Sequence, residues 1–292
     1  MIYNIIPTVD CVFKAILGSV ENKNLLINFL NAVLVPEDRI VDVKILNPYN
    51  EKEFIGDKLT VIDIKATDDK DRTFQVEVQT SNHPGLVNRM LHNWSSVYKR
   101  QLKEGNKFDQ LQPVISIWVL IEDLFKKTAE HLSFGIYDLK HRIQMSDHFS
   151  IHILQLNQWS ESQAKNDEER WLFFFKYGKD LDDENLPEFL KTKEMEQAMS
   201  TLRTFSEKEK AYDLYQNRLN AIRIEQTWLS NIEEAKAKVE KERAEKEKLK
   251  KLLEAKAEEA EAKAEKAEAN AEKERAEKER LKKLLEESGI RY

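Results

Sequence analysis

Apolar residues recur along this chain in two rhythms, and each change of rhythm marks an element. In residues 21–35, Leu25, Leu26, Phe29, Leu30, Val33 and Leu34 fall at helical spacing, and Pro36 follows where a helix must stop. Residues 40–46 alternate, with Val41, Val43 and Ile45 on one side, which predicts a strand. After the turn-forming Asn47-Pro48-Tyr49-Asn50, residues 59–67 and 73–80 predict a hairpin joined by Asp68-Asp69-Lys70-Asp71. In its second arm Phe74, Val76 and Val78 alternate with Gln75, Glu77 and Gln79, so one face is apolar and the other polar. His83-Pro84-Gly85 breaks the chain. Residues 86–103 then carry Leu86, Met90, Trp94, Val97 and Leu102 on one helical side, with Gly105 as the natural stop. Pro113 opens a continuous apolar run, 114–121, of the kind found in strands buried on both faces. Weaker strand patterns follow at 131–139 and 149–156. The order helix, three strands, helix, strand predicts a mixed α/β core over residues 1–160, whose strand–helix–strand unit brings its strands together parallel. Residues 161–231 read as a helical extension, with stripes at 168–177, 187–205 and 207–230.

From residue 232 the composition collapses to Ala, Glu, Lys and Arg, all strong helix formers. A block also repeats: EKERAEKEKLKKLLE at 240–254 returns as EKERAEKERLKKLLE at 272–286. Glu242/Lys246 and Glu247/Lys251 stand four apart in the favourable order, each pair contributing ~0.3–0.5 kcal/mol. A heptad seam runs through Leu253, Ala257, Ala260, Ala264, Ala267, Ala271, Glu274, Lys278, Leu281 and Leu285. It is mostly alanine with two charges, so a dimeric coiled coil and an isolated charged helix both remain open for 232–292.

Charged residues make up 34% of the chain, and the excess over an ordinary domain sits in this tail. The net charge of −6 supplies no global basic field, so nucleic acid, if bound, must meet a local basic patch. A single cysteine, Cys11, excludes an internal disulfide framework and reads as a small packing residue rather than a nucleophile. The first residues lack the basic and apolar regions of a signal peptide, and the longest apolar runs, 114–121 and 171–175, fall far short of the ~20 residues a membrane helix needs. A cytoplasmic protein is expected.

The hairpin holds the chemistry. Adjacent strands lie about 4.8 Å apart, so Asp63 on the first arm comes close to Glu77 on the second. Two neighbouring carboxylates repel and make a seat for a divalent cation, Mg²⁺ or Mn²⁺, with the Val78 carbonyl as a further ligand. On the same face Gln79 can orient a water or a phosphate, and Lys65 supplies positive charge. The plain alternative is a solvated polar face on an edge hairpin. Arg89, His92, Lys99, Arg100 and Lys103 decorate the next helix, either as a solvated face or as a patch for DNA phosphates. His148 and His152 share a side at four-residue spacing but lack a third ligand, which argues against zinc. Trp94 and Trp118 read as core, and no glycine-rich phosphate loop is present.

These motifs in this order resemble the PD-(D/E)XK nuclease superfamily, and more closely the Rpn family of recombination-promoting nucleases, also described as PD-(D/E)XK family transposases. The resemblance rests on Asp10-Cys11-Val12-Phe13-Lys14, on the helix Leu26–Leu34, on Val61-Ile62-Asp63-Ile64-Lys65-Ala66, and on Val76-Glu77-Val78-Gln79. Arg89, Tyr98, 101–105, 111–117, 169–174 and the helix at 212–223 extend it over most of residues 5–230. It implies metal-dependent cleavage of DNA linked to recombination, mobile elements or phage defence. Asp63 and Glu77 would bind metal, Gln79 would position water or phosphate, and Asp10 with Lys14 would support the site. Gln79 stands where the superfamily's lysine is typical, as is common in the Rpn-like branch; Lys65 and Lys14 are the replacements in view. Asp57 is a second choice for the strand acid, and Glu21 a further acid from the first helix. The other expectation is a nuclease fold without cleavage that acts as a binding or assembly protein, forming a homo-oligomer through its C-terminal helix.

Overall fold

In the computed structural model, residues 3–46, 49–50, 60–61 and 63–287 are described. They fall into two compact units, Met1–Glu225 and Gln226–Tyr292.

The first unit opens with two helices, α1 (Asp10–Leu17) and α2 (Lys23–Leu34). Strands β1 (Val43–Leu46), β2 (Tyr49–Asn50), β3 (Thr60–Val61), β4 (Ile64–Asp68) and β5 (Thr73–Gln79) follow, then helix α3 (Leu86–Lys99). Strands β6 (Val114–Leu120), β7 (His131–Tyr137) and β8 (Gln144–Gln155) lead into α4 (Asp167–Tyr177), α5 (Lys193–Glu207) and α6 (Glu209–Glu287). Six strands form one sheet in the order β1-β4-β5-β6-β8-β7, and β2 pairs with β3 alone. Strands β1, β4 and β5 are antiparallel neighbours; β5, β6 and β8 run parallel; β7 returns antiparallel to β8. The β5–α3–β6 unit is thus the parallel crossover that the sequence predicts, and the mixed α/β class holds.

Alternation along the central strands separates two layers. Phe74, Val76 and Val78 of β5, with Ile115, Ile117 and Val119 of β6, face the larger core, which α1, α2, α4 and α5 complete. Aromatic rings tie those helices together: Phe13 lies 5.4 Å from Phe175, and Phe29 meets Trp171 edge-on at 5.6 Å. On the opposite face Trp118 and Leu120 pack against Leu86 and Met90 of α3. Trp118 is fully buried, and Trp94 donates its indole N–H to the Val114 carbonyl at 2.8 Å, so both are core residues as expected.

Several boundaries differ from the sequence pattern for physical reasons. Helix α3 ends at Lys99 instead of 103. There the Gln101 side chain donates to the Gln112 carbonyl at 3.0 Å and accepts from the Gln112 amide at 2.7 Å, which turns the chain towards β6. Strand β8 begins at Gln144 rather than 149. Its first residues pair with β7 through the backbone, Ile136 opposite Ser146, while mixing polar side chains with the exposed Met145, which gives no alternation. The polar face of β5 is not an open one: Gln75 and Glu77 are buried beneath α3, and only Gln79 is partly exposed. Part of the predicted first arm, 59 and 62, lies outside the described residues.

In the second unit the described chain is helix up to Glu287, and apart from the partly buried Leu229 and Leu285 its described side chains are exposed. Glu247 and Lys251 form the expected ion pair at 3.1 Å, and Glu259 and Lys263 another at 2.7 Å. None of the helices among the described residues is long and apolar enough to cross a membrane.

Candidate active site

The β4–β5 ladder pairs Ile64 with Val76, so one step further the same register sets Asp63 opposite Glu77. Asp63 stands just before β4. Its Oδ2 accepts the Val78 amide at 3.0 Å, and its Oδ1 takes the Lys14 ammonium of α1 at 3.0 Å. Glu77 is only 1% exposed. Its Oε1 accepts from the Asn93 amide at 2.9 Å and its Oε2 from the Arg89 guanidinium at 3.3 Å, both from α3. Burial pushes the Glu77 carboxyl up to about 8, with the charge of Asp63 adding to the rise; Arg89, Asn93 and Lys14 pull it back only in part.

Gln79 follows on the same face. Its Oε1 accepts from Arg89 at 3.0 Å, and its amide donates to the Ser81 carbonyl at 2.9 Å, so its orientation is fixed at both ends. Arg89 also lies 5.4 Å above the Trp118 ring. Beneath α3 the polar run continues through Gln75, which donates to the Asn93 carbonyl at 3.3 Å and accepts from the Ser116 hydroxyl at 3.1 Å. Lys65 pairs with Gln75 across the ladder, one strand repeat from the acids. Burial lowers its ammonium pKa, and the nearby Arg100 adds to that.

On the other flank Asp10 of α1 lies 4.0 Å from Lys14 and 3.5 Å from the Arg218 guanidinium of α6. Gln79, Arg89, Asp10 and Arg218 line a cleft of about 260 Å³. The fold therefore gathers Asp63, Glu77, Gln79, Arg89, Asp10 and Lys14, with Lys65 and Arg100 further along the same face. Lys99 and Lys103 are exposed at the far end of α3 and the loop beyond it. Glu21 is exposed in the turn before α2. Asp57 lies outside the described residues.

Two site residues escape the sequence reading. Asn93 sits on the polar-looking side of a helix whose apolar stripe draws attention to Met90 and Trp94, yet it is buried against Glu77. Arg218 lies far along the chain in a helix rich in charges. The histidine pair separates: His148 bonds Tyr98 at 3.0 Å, while His152 bonds His131 at 2.9 Å and Ser150 at 2.7 Å. Burial pulls the His152 ring down to about 4. Cys11 is half-buried against the large core, its thiol pushed up to about 11 by burial, as suits a packing residue.

Among the described residues no three His, Cys, Asp or Glu side chains converge as a ready metal cage. Asp63 and Glu77 fit a hard cation that keeps most of its waters, because such an ion uses one or two protein carboxylates. Burial first, and the Asp63 charge second, hold the Glu77 carboxyl up, and a cation between the two acids would offset both.

A six-stranded mixed sheet packed between helices is consistent with a PD-(D/E)XK nuclease-like fold. The chain belongs to the PD-(D/E)XK nuclease family transposases, whose family model matches residues 7–227. No curated protein and no solved structure matches it.

Proposed function

We propose that the protein is a metal-dependent DNA endonuclease that hydrolyses phosphodiester bonds in the cytoplasm, in recombination or in the traffic and exclusion of mobile elements. The observation that carries this reading is the opposed pair Asp63 and Glu77, with the Glu77 carboxyl lifted by burial and by its neighbour.

In this reading Asp63 and Glu77 hold Mg²⁺ or Mn²⁺, with the Val78 carbonyl as a third ligand. When bound, the cation polarises a phosphoryl oxygen and lowers the pKa of a water. Arg89 keeps Gln79 in place, and Gln79 orients the water or a phosphate oxygen. With Gln79 in the usual lysine position, Lys65 and Lys14, the latter held between Asp10 and Asp63, supply the positive charge instead. Arg100, Lys99 and Lys103 continue the basic line along α3 and the loop after it, suited to backbone phosphates of any sequence.

A second reading follows from one observation. Gln79 stands in the lysine position and is engaged on both sides by Arg89 and Ser81, which suits a nuclease fold that binds without cutting and acts through its C-terminal helix. Nicking of supercoiled plasmid by purified protein separates the two. Cleavage that needs Mg²⁺ or Mn²⁺ and disappears in Asp63→Asn supports the endonuclease. No cleavage with either ion rejects it.

A further inference from the structure

Tyr215, Leu219 and Ile222 recur at helical spacing in α6 and pack on the large core. Tyr215 is buried, and its hydroxyl accepts the Ile6 amide at 3.3 Å and donates to the Asn4 carbonyl at 3.4 Å. This turn of α6 is therefore pinned to the chain just before α1. Arg218, Ala221, Ile222 and Glu225 fall three and four apart along the same helix. They line the cleft of about 260 Å³ that Asp10, Gln79 and Arg89 also line. The two guanidiniums of this cleft differ in what they hold. Arg89 gives one terminal nitrogen to Gln79 at 3.0 Å and the other to Glu77 at 3.3 Å. Arg218 meets Asp10 through its Nε, at 3.5 Å, and its side chain is 54% exposed. Asp10 is itself shared with Lys14, 4.0 Å away. Among the described residues the two terminal nitrogens of Arg218 have no partner.

We propose that Arg218 is a substrate-binding residue of this site, and that it takes a backbone phosphate of the DNA strand that passes Gln79 and the two acids. The inference rests on the DNA reading given above, but not on cleavage. Two N–H groups at the end of a guanidinium match two phosphate oxygens, and such charge-assisted pairs are stronger and better oriented than an ammonium contact. Arg89, bonded to Glu77 and Gln79, is part of the wall of the site. Arg218, one turn from the anchored Tyr215, points the same chemistry at a ligand. Glu225 lines the cleft two turns further along α6 and opposes an anion there, so the two residues act on DNA with opposite sign.

Fluorescence anisotropy of a short labelled DNA duplex with the full-length protein tests it, in EDTA, where hydrolysis that needs Mg²⁺ or Mn²⁺ is silent, and again in Ca²⁺. Arg218→Gln is expected to weaken binding about five- to tenfold and to lower the slope of log Kd against log salt by about one counterion. Arg218→Lys, which keeps the charge and loses the fork, is expected to keep the slope and recover only part of the affinity. Glu225→Gln is expected to bind about two- to threefold more tightly, a gain that a damaged fold cannot produce. An Arg218→Gln variant with the wild-type slope, or a Glu225→Gln variant that binds no more tightly, overturns the assignment. Plasmid nicking by the wild type would then still leave the endonuclease reading in place. A wild type that binds no duplex under either condition overturns both.

Discussion

The middle and one edge of the six-stranded sheet depart from ordinary burial in opposite directions. Around β5 the fold hides polar groups: Gln75, Glu77, Asn93 and Ser116 are at most 1% exposed. At β7 and the start of β8 it leaves large apolar side chains in water. Each departure is unfavourable on its own terms, since a buried carboxylate loses hydration and an exposed isoleucine gains nothing. Hydrogen bonding softens the first: both Glu77 oxygens have donors, Asn93 and Arg89. Even so, the carboxyl sits near 8. Nothing among the described residues covers the second. Departures of this kind are retained at functional sites.

The comparison breaks most visibly at the acids. Asp63→Asn and Glu77→Gln are each expected to lower the plasmid-nicking rate about a thousandfold or more, because each removes charge from the cation seat. Loss in one variant only would mean that the pair does not act together. Next in size is Asn93→Ala, which strips Glu77 Oε1 of its donor and is expected to cost about 1–3 kcal/mol in chemical denaturation.

The pH dependence of stability sharpens the picture further. Glu77 binds its proton more tightly in the fold than in the unfolded chain, where the carboxyl is near its ordinary 4.5. Its contribution to stability is therefore complete below about pH 4.5 and is lost as pH rises towards about 8. Glu77→Gln, which has no charge to bury, is expected to melt above the wild type by a margin that widens over this window and is constant beyond it. Thermal melts at pH 5, 7 and 9 read the difference directly. The smallest effect belongs to the tail, where nothing is hidden. Glu247→Ala removes the pair with Lys251 and is expected to change stability by no more than about 0.5 kcal/mol.

Much of the acid site was legible because a strand repeats every two residues. Alternation in 73–80 and the polar turn before it set Asp63 across from Glu77 with Gln79 on the same face, and the register agrees. The roof over that face was not legible. Arg89 reads from the sequence as a phosphate contact or a solvated residue and Asn93 as nothing more than helix surface, and only the crossover places both above Glu77. The eight-residue helix α1 gave no stripe of its own, since two turns are too short for a periodicity to show. The long outer hairpin was hidden for the opposite reason: 144–148 mixes polar and apolar residues without alternation because neither side of it meets a core. Family resemblance carried what spacing left undecided, in particular Asp10 and Lys14, and the family match over residues 7–227 bears that resemblance out.

The central claim is that Asp63 and Glu77 hold one divalent cation. Titration calorimetry with Mn²⁺ at pH 8 tests it most directly. The account predicts one site per chain in the wild type, none in the Asp63→Asn, Glu77→Gln double variant, and an affinity that weakens as pH falls below 8 and Glu77 takes up its proton. A wild-type protein that takes up no cation, or a double variant that binds it as tightly, would contradict the account.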